Sequence, residues 1–343
     1  MGAPHRFQAA YLHATARRLF TAAGAPRHIA DDVAEVLVNS NLTGHDSHGV
    51  LRVPAYLNGI SNGGIVPAAE PKVVQETAVT LLLDGNGGFG HYTARKAMAL
   101  AIEKAKQAHV CCVSFTQIGH MGRLGEYAEA AARAGCIGLL TYGIGARDSG
   151  STVPYGGAKG TLGTNPIAVG IPTGDDTPFI IDFATSTVAE GKLQVARSKG
   201  ADLPQGLIVD KHGAPSVKPA DFYDGGYLLP FGGHKGYALS LMVCLLGGLA
   251  GGFNAEKSAM GGMFMQGGGR QRLHAPGDLP AERARLSGRA QGHAPGPRLC
   301  RGPGPGGFRA PRPHGTPGPR HRTPRPDLRT DSGVRGQVER LSG

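Results

Sequence analysis

The sequence predicts an α/β fold with a helical N-terminal region ahead of it and a basic, structureless tail behind it. Three observations carry this reading. Helical periodicity fills residues 6–43, strand-like runs alternate with amphipathic helices from residue 79, and the composition changes abruptly near residue 266. The chain has 343 residues, which suggests two compact units, and 40% hydrophobic residues, enough for a core.

Leu12, Ala16, Leu19 and Phe20 follow one helical stripe, and Ile29, Val33, Val36 and Leu37 a second, with "GAP" at 24–26 as the break. Gly44 ends the second helix, so "GHDSHG" falls in a loop, and a short helix covers 51–61. "VTLLLDG" (79–85), "VCCVSF" (110–115) and "CIGLLTYG" (136–143) read as strands, with helices at 91–107 and 122–135 between them. "NPIAVGIP" and "PFIIDFAT" add strands, 186–198 and 235–250 add helices, and "GGMFMQ" reads as a last strand. The division is a helical region at 1–75, an α/β domain at 76–266 and a tail at 267–343.

The tail holds 15 Arg, no Lys and 5 acidic residues, leaving 21 basic and 20 acidic side chains before it. Of the net charge of +11, the tail therefore carries +10, and the remainder is nearly neutral. With 12 Pro, 16 Gly and one aromatic residue, Phe308, the tail cannot bury enough apolar surface to offset the entropy of ordering. It reads as disordered, like a G+C-rich gene translated in the wrong frame. Such a product would be inactive. Binding of nucleic acid through the tail is a rival reading, but the stretch lacks Lys and interleaved aromatics. The five cysteines show no CxxC spacing and read as free buried thiols. The N-terminus has no signal-peptide core, and the longest apolar run, from Tyr237, is too short to span a bilayer. These features imply a soluble cytoplasmic protein without a membrane partner.

Four stretches could carry chemistry. In "GHDSHGVLR" (44–52), His48 can exchange a proton near neutral pH, Ser47 can relay it, and Arg52 can grip a carboxylate. A helix-capping loop with Asp46 or Ser47 at the cap would use the same residues. "FTQIGHMGRLGEYA" (115–128) is a strand, a glycine-bearing turn and a helix, a layout that offers free N–H groups to phosphate. Its spacing is GxxGxxG, so the Rossmann fingerprint is absent; His120 adds a proton carrier and Arg123 a phosphate-pairing cation. In "IIDFATS" (180–186), Asp182 ends an apolar strand and needs a partner, for which His48 is a candidate; a helix cap is the alternative. "GGHKGYALSLM" (232–242) places Lys235 at a helix start, where a cation sits badly unless an anion binds beside it. No HExxH, Cys/His ligand spacing or GxSxG elbow occurs, so no metal and no serine nucleophile is indicated.

"GHDSHGVLRVPAY", "GHMGRLGEYAE", "GTNPIAVGIP", "IIDFATSTVAEGKL" and "GGHKGYALSLM", in this order, resemble the type-2 malate/L-lactate dehydrogenase family over roughly residues 5–266. The resemblance implies a non-Rossmann NAD(P)-binding fold, NAD(H) or NADP(H) as cofactor, and a homodimer. It implies hydride transfer between nicotinamide and C2 of a 2-hydroxy or 2-oxo acid, with reduction of a cyclic imino acid as the alternative. Carried over, His48, Ser47 and Asp182 form a proton relay, and His120 is an acid/base group beside the nicotinamide. Arg52 takes the substrate carboxylate. The implied cofactor contacts are His48, the turn Gly122, Arg123 and Leu124, and Thr164 with Asn165. They continue with Ile180, Ile181, Asp182, Phe183 and Ala184, and end with His234, Lys235 and Gly236.

Overall fold

A computed structural model describes residues 6–143, 150–173, 177–247 and 262–269, with Gly247 and the last strand described by backbone alone. Helices α1 (Ala9–Ala22) and α2 (Arg27–Leu42) form as the periodicity predicts. Ala16 and Phe20 are buried on α1, whereas Leu19, read on the same stripe, is exposed at its edge. With α3 (Val53–Ser61) these helices enclose Phe20, Ile29, Val33, Leu37 and Tyr56. The same core takes in Phe89 and Tyr92 at the start of α4 (Gly90–Ala108), which fixes the helical region to the sheet.

The strands are β1 (Lys72–Glu76), β2 (Thr80–Asp84), β3 (Val110–Thr116), β4 (Cys136–Gly143), β5 (Ile167–Ile171) and β6 (Phe179–Phe183). Helix α5 (Gly125–Arg133) lies between β3 and β4 in the chain, and α6 (Glu190–Ser198) follows β6. A small sheet of β7 (Ile208–Val209), β8 (Pro215–Ser216) and β9 (Tyr227–Leu228) comes next, with α7 (Pro219–Tyr223) inserted. The chain then forms α8 (His234–Gly247) and β10 (Gly262–Gly269). The large sheet has the order β1-β2-β3-β10-β4-β5-β6. Only β2 and β3 pair in parallel; the other neighbours are antiparallel. The fold is thus α/β and unlike the parallel doubly wound sheet.

Three sequence expectations change. β1 was not expected; it lies at the sheet edge, exposed at all five residues, and has no buried face to give a periodic signal. It also begins at Lys72, ahead of the boundary placed at 75/76. The tail was set to begin at 267, but Gly267, Gly268 and Gly269 continue β10, because the backbone ladder to β3 and β4 needs no side chains. The expectations for 270–343 lie outside the described residues.

Side chains alternate along a strand, so Gly138 and Gly143 of β4 face opposite sides of the sheet. A Cβ at Gly138 would meet Ala131 of α5 at 2.7 Å, and one at Gly143 would meet the α8 backbone at 2.5 Å. Helices therefore pack closely on both faces, with α5 on one and α8 on the other. The main core includes Leu83, Met98, Phe115, Ile118, Met121, Tyr127 and Leu140.

Candidate active site

The loop after α2 forms two tight turns, Asp46–His48 and Val50–Arg52, which lead directly into α3. Asn41 of α2 holds the first turn through Asp46 Oδ1 (2.6 Å) and accepts from the Val50 N–H (2.9 Å). Helix α6 closes the other side. A Cβ at Gly191 would lie 2.1 Å from Ser47 Cβ, so only glycine allows this approach. The Ser47 hydroxyl meets His48 Nδ1 at 3.0 Å, and Arg52 Nε donates to the Ser47 carbonyl at 2.7 Å. The polar loop is thus a fixed platform.

His120 comes from the turn between β3 and α5. Its ring stacks on that of His48, with centroids 5.7 Å apart and planes 12° from parallel. Tyr56 of α3 bonds to His120 Nδ1 at 2.7 Å, and the Gly122 N–H donates to the same nitrogen at 3.3 Å. A cavity of about 330 Å³ opens beside them, lined by Arg52, Tyr56, Phe89 and His120 and by backbone at Gly88, Gly90 and Gly119. Its size suits a small organic acid or a single aromatic ring. A side chain at Gly119 would meet nothing closer than 3.5 Å, so it would occupy cavity space instead of clashing.

Burial, then the nearby Arg52 charge, pushes the His48 imidazole down to about 4. Burial, then His48, pushes His120 down to about 3, although its ring is reachable through the cavity. Fully buried His91, at the start of α4, is held well below the ordinary range, again chiefly by burial. All three are neutral at pH 7. The unfolded chain binds these protons near pH 6.5 and the folded chain only at lower pH, so stability present above about pH 6.5 is lost on acidification towards pH 4. We expect a loss of about 1 to 3 kcal/mol from His48, less from His120 because cavity solvent screens it, and a further loss of the same sign from His91. Urea melts between pH 7 and 4.5 check this, and a midpoint that does not move would contradict buried neutral imidazoles.

The expected pairing of Asp182 with His48 is corrected. Asp182 instead accepts a hydrogen bond from the Gly125 N–H at 2.7 Å, at the start of α5, where unpaired backbone donors favour an anion. Burial raises its pKa, against the pull of that N–H and of Arg123. Arg123 also departs from expectation. Its side chain is 6% exposed and lies 3.5 Å from Glu126 and 3.8 Å from Glu129, so the guanidinium is packed inside and does not face phosphate. Asn165, read as lining the cleft, is buried, and its amide donates to the Ser240 carbonyl and hydroxyl of α8. Its φ of +39° marks a turn that asparagine tolerates better than most residues. The Thr164 carbonyl accepts from Thr185.

The other cofactor candidates form a connected track. The His120 turn joins β6 through Gly125 and Asp182, and Phe183 of β6 packs edge-on against Phe231 at 5.7 Å. Phe231 leads into α8, where His234 and Lys235 are exposed and Gly236 is buried. A Cβ at Gly236 would strike the Phe231 carbonyl at 2.0 Å, so glycine permits this tight entry. The track offers a cation at a helix start, an exposed apolar edge at Ile181 and Phe183, and a cavity beside two imidazoles. These residues fit a nicotinamide dinucleotide.

A family model for malate/L-lactate dehydrogenase matches residues 7–274. The chain belongs to this family. It is an NAD(P)-dependent oxidoreductase of the hydroxycarboxylate dehydrogenase kind. Hydroxycarboxylate dehydrogenase B of Escherichia coli is 39% identical over 263 residues, which cover 76% of this chain and 72% of that one. A Delta(1)-pyrroline-2-carboxylate/Delta(1)-piperideine-2-carboxylate reductase of Pseudomonas syringae is 38% identical over 237 residues, 69% of this chain and 68% of its own. The structure of sulfolactate dehydrogenase from Methanocaldococcus jannaschii matches with a TM-score of 0.75 and 31% identity, over 84% of this chain and 85% of that one.

Among the described residues, no group of three His, Cys, Asp or Glu side chains could hold a metal ion, and no helix is long and apolar enough to cross a membrane. Cys111, Cys112, Cys136 and Cys244 are unpaired. Sequence reasoning missed Tyr56 and His91. Tyr56 sits in the quoted "LRVPAY", but an aromatic at helical spacing reads as core. His91 lies in the first turn of a predicted helix, where a histidine reads as an ordinary helical residue.

Proposed function

We propose that this family member interconverts a small 2-oxo acid and its 2-hydroxy acid, with His48 and His120 handling the proton and Arg52 holding the carboxylate. The observation that carries the reading is the stacked His48 and His120 pair, with Arg52 and His120 both lining one cavity. The nicotinamide, when bound, supplies or accepts the hydride. In oxidation the neutral imidazole of His48 can take the hydroxyl proton, while His120 holds the substrate oxygen by a hydrogen bond. Arg52 is among the causes that depress both histidines. A carboxylate seated on Arg52 offsets its charge and raises imidazole basicity, so substrate binding itself tunes the base towards neutral pH. Ser47 orients His48 through Nδ1. Asp182 supports the turn at 122–124 from below instead of relaying a proton. Ile180 to Ala184 and His234 to Gly236 form the dinucleotide track.

We read the helical region before β1 as the part that carries the catalytic loop, and the part from β1 to β10 as the cofactor-binding domain. The protein acts in the cytoplasm as a homodimer, with NAD(H) or NADP(H). A second reading, reduction of a cyclic imino acid, has the support of the Pseudomonas syringae relative and uses the same cavity. In both cases Arg52→Met is expected to raise KM for the acid by roughly 10- to 100-fold, the scale of one charge-assisted hydrogen bond. Cofactor affinity, followed by nicotinamide fluorescence, should stay within about twofold. An unchanged KM would remove Arg52 from the substrate site. Turnover with pyruvate-like acids against five- and six-membered imino acids separates the two readings.

A further inference from the structure

We infer that His91 is a positioning residue: through Tyr56 it fixes His120 in the tautomer that carries its proton on Nε2. The inference rests on the proposed role of His120 and extends it. Nδ1 of His120 accepts from the Gly122 N–H at 3.3 Å, so it carries no proton. Tyr56 O–H, 2.7 Å away, must then also donate to Nδ1. The Tyr56 oxygen is left as an acceptor, and His91 Nε2, at 3.3 Å, is the donor that faces it. The network runs in one direction, from His91 Nε2–H to Tyr56 O–H to His120 Nδ1. It leaves Nε2–H of His120 as the group able to donate to a substrate oxygen.

The burial of His91 supports this role. The side chain is 0% exposed, and its Nδ1 has no hydrogen-bond partner among the described residues. An apolar residue would avoid the cost of that unpaired acceptor. The ring packs edge-on against both Tyr56, at 5.1 Å, and His120, at 6.1 Å. Gly122, at φ +73°, makes room for it, since a Cβ there would lie 3.0 Å from His91 Nε2. His91 cannot pass its own proton on, because an imidazolate would remain and nothing described resupplies Nδ1. It orients and does not relay.

Two measurements test this. In the ligand-free protein, long-range ¹H–¹⁵N spectra of imidazole rings should show His120 as the Nε2–H tautomer. His91→Leu and Tyr56→Phe should each shift His120 towards a mixture. In turnover assays each variant should lower kcat about tenfold, the scale of one net hydrogen bond, with KM and cofactor Kd within twofold. His91→Gln, whose amide can still donate, should recover most of the rate. The double variant should be no slower than Tyr56→Phe alone. An unchanged His120 tautomer in both single variants overturns the inference, as does a Gln variant as slow as Leu. Should His91→Leu fail to fold, Tyr56→Phe carries the same test from the other side of the link. A His120→Ala variant that keeps full rate would instead overturn the catalytic reading on which the inference rests.

Discussion

His48→Ala and His120→Ala are each expected to lower turnover by about 10²- to 10⁴-fold, the usual contribution of a positioned acid or base. Cofactor affinity should change far less. The two rings stack, and His48 is among the causes that depress the pKa of His120. Removing one therefore alters the survivor, and the double variant should be little worse than the weaker single one. Steady-state kinetics with a reduced nicotinamide and a panel of 2-oxo acids, beside a fluorescence titration of the dinucleotide, separates turnover from binding. Two single variants with near-wild-type kcat would remove the pair from the chemistry. Loss of dinucleotide binding with kcat unchanged would make His48 and His120 binding residues only.

Met265→Pro should be the most damaging single change to the fold. Met265 lies opposite Val113 of β3 and Leu140 of β4, so β10 is flanked on both sides. Every N–H of such a strand points at a neighbour, and proline has none to offer. The lost ladder bond and the ring clash together cost about 3 kcal/mol or more. For a chain of this size that lowers Tm by roughly 6–12 °C. Val74→Pro is the control. Val74 is exposed, and the β1 register slips past it, so its N–H is dispensable. A thermal melt that shows equal losses for the two variants would mean that β10 is not central to the sheet.

The position of β10 shows what the sequence could not convey. "GGMFMQ" reads correctly as a strand, yet nothing in it says that the segment wedges between β3 and β4, more than 100 residues earlier in the chain. Long-range pairing follows from where the chain returns, not from local pattern. Local pattern served best where burial is one-sided. The stripes of α1 and α2 and the runs of β3 and β4 lie close to their observed bounds. It failed for β1, which buries nothing. In the site, glycine-flanked polar residues were legible: Ser47, His48, Arg52 and His120 do converge. Partners were not. Asp182 was matched to the nearest chemically plausible group, but the strand end delivers it to the α5 N-terminus. Arg123 looked like a phosphate ligand, but it lies one residue before the buried Leu124 and turns inward with it. Tyr56 and His91 were hidden because a buried aromatic and a helical histidine look like ordinary core.

The central claim is that this chain moves a hydride between a nicotinamide and C2 of a small 2-oxo acid. It can be tested directly by supplying the protein with dinucleotide deuterated at C4 of the reduced ring, in ordinary water, together with a 2-oxo acid. Deuterium should appear at C2 of the hydroxy acid product, one atom per turnover, and Arg52→Met should slow its appearance at low substrate. Product that carries solvent hydrogen at C2 would contradict the account, and so would a failure to oxidise the dinucleotide with every 2-oxo and cyclic imino acid tried.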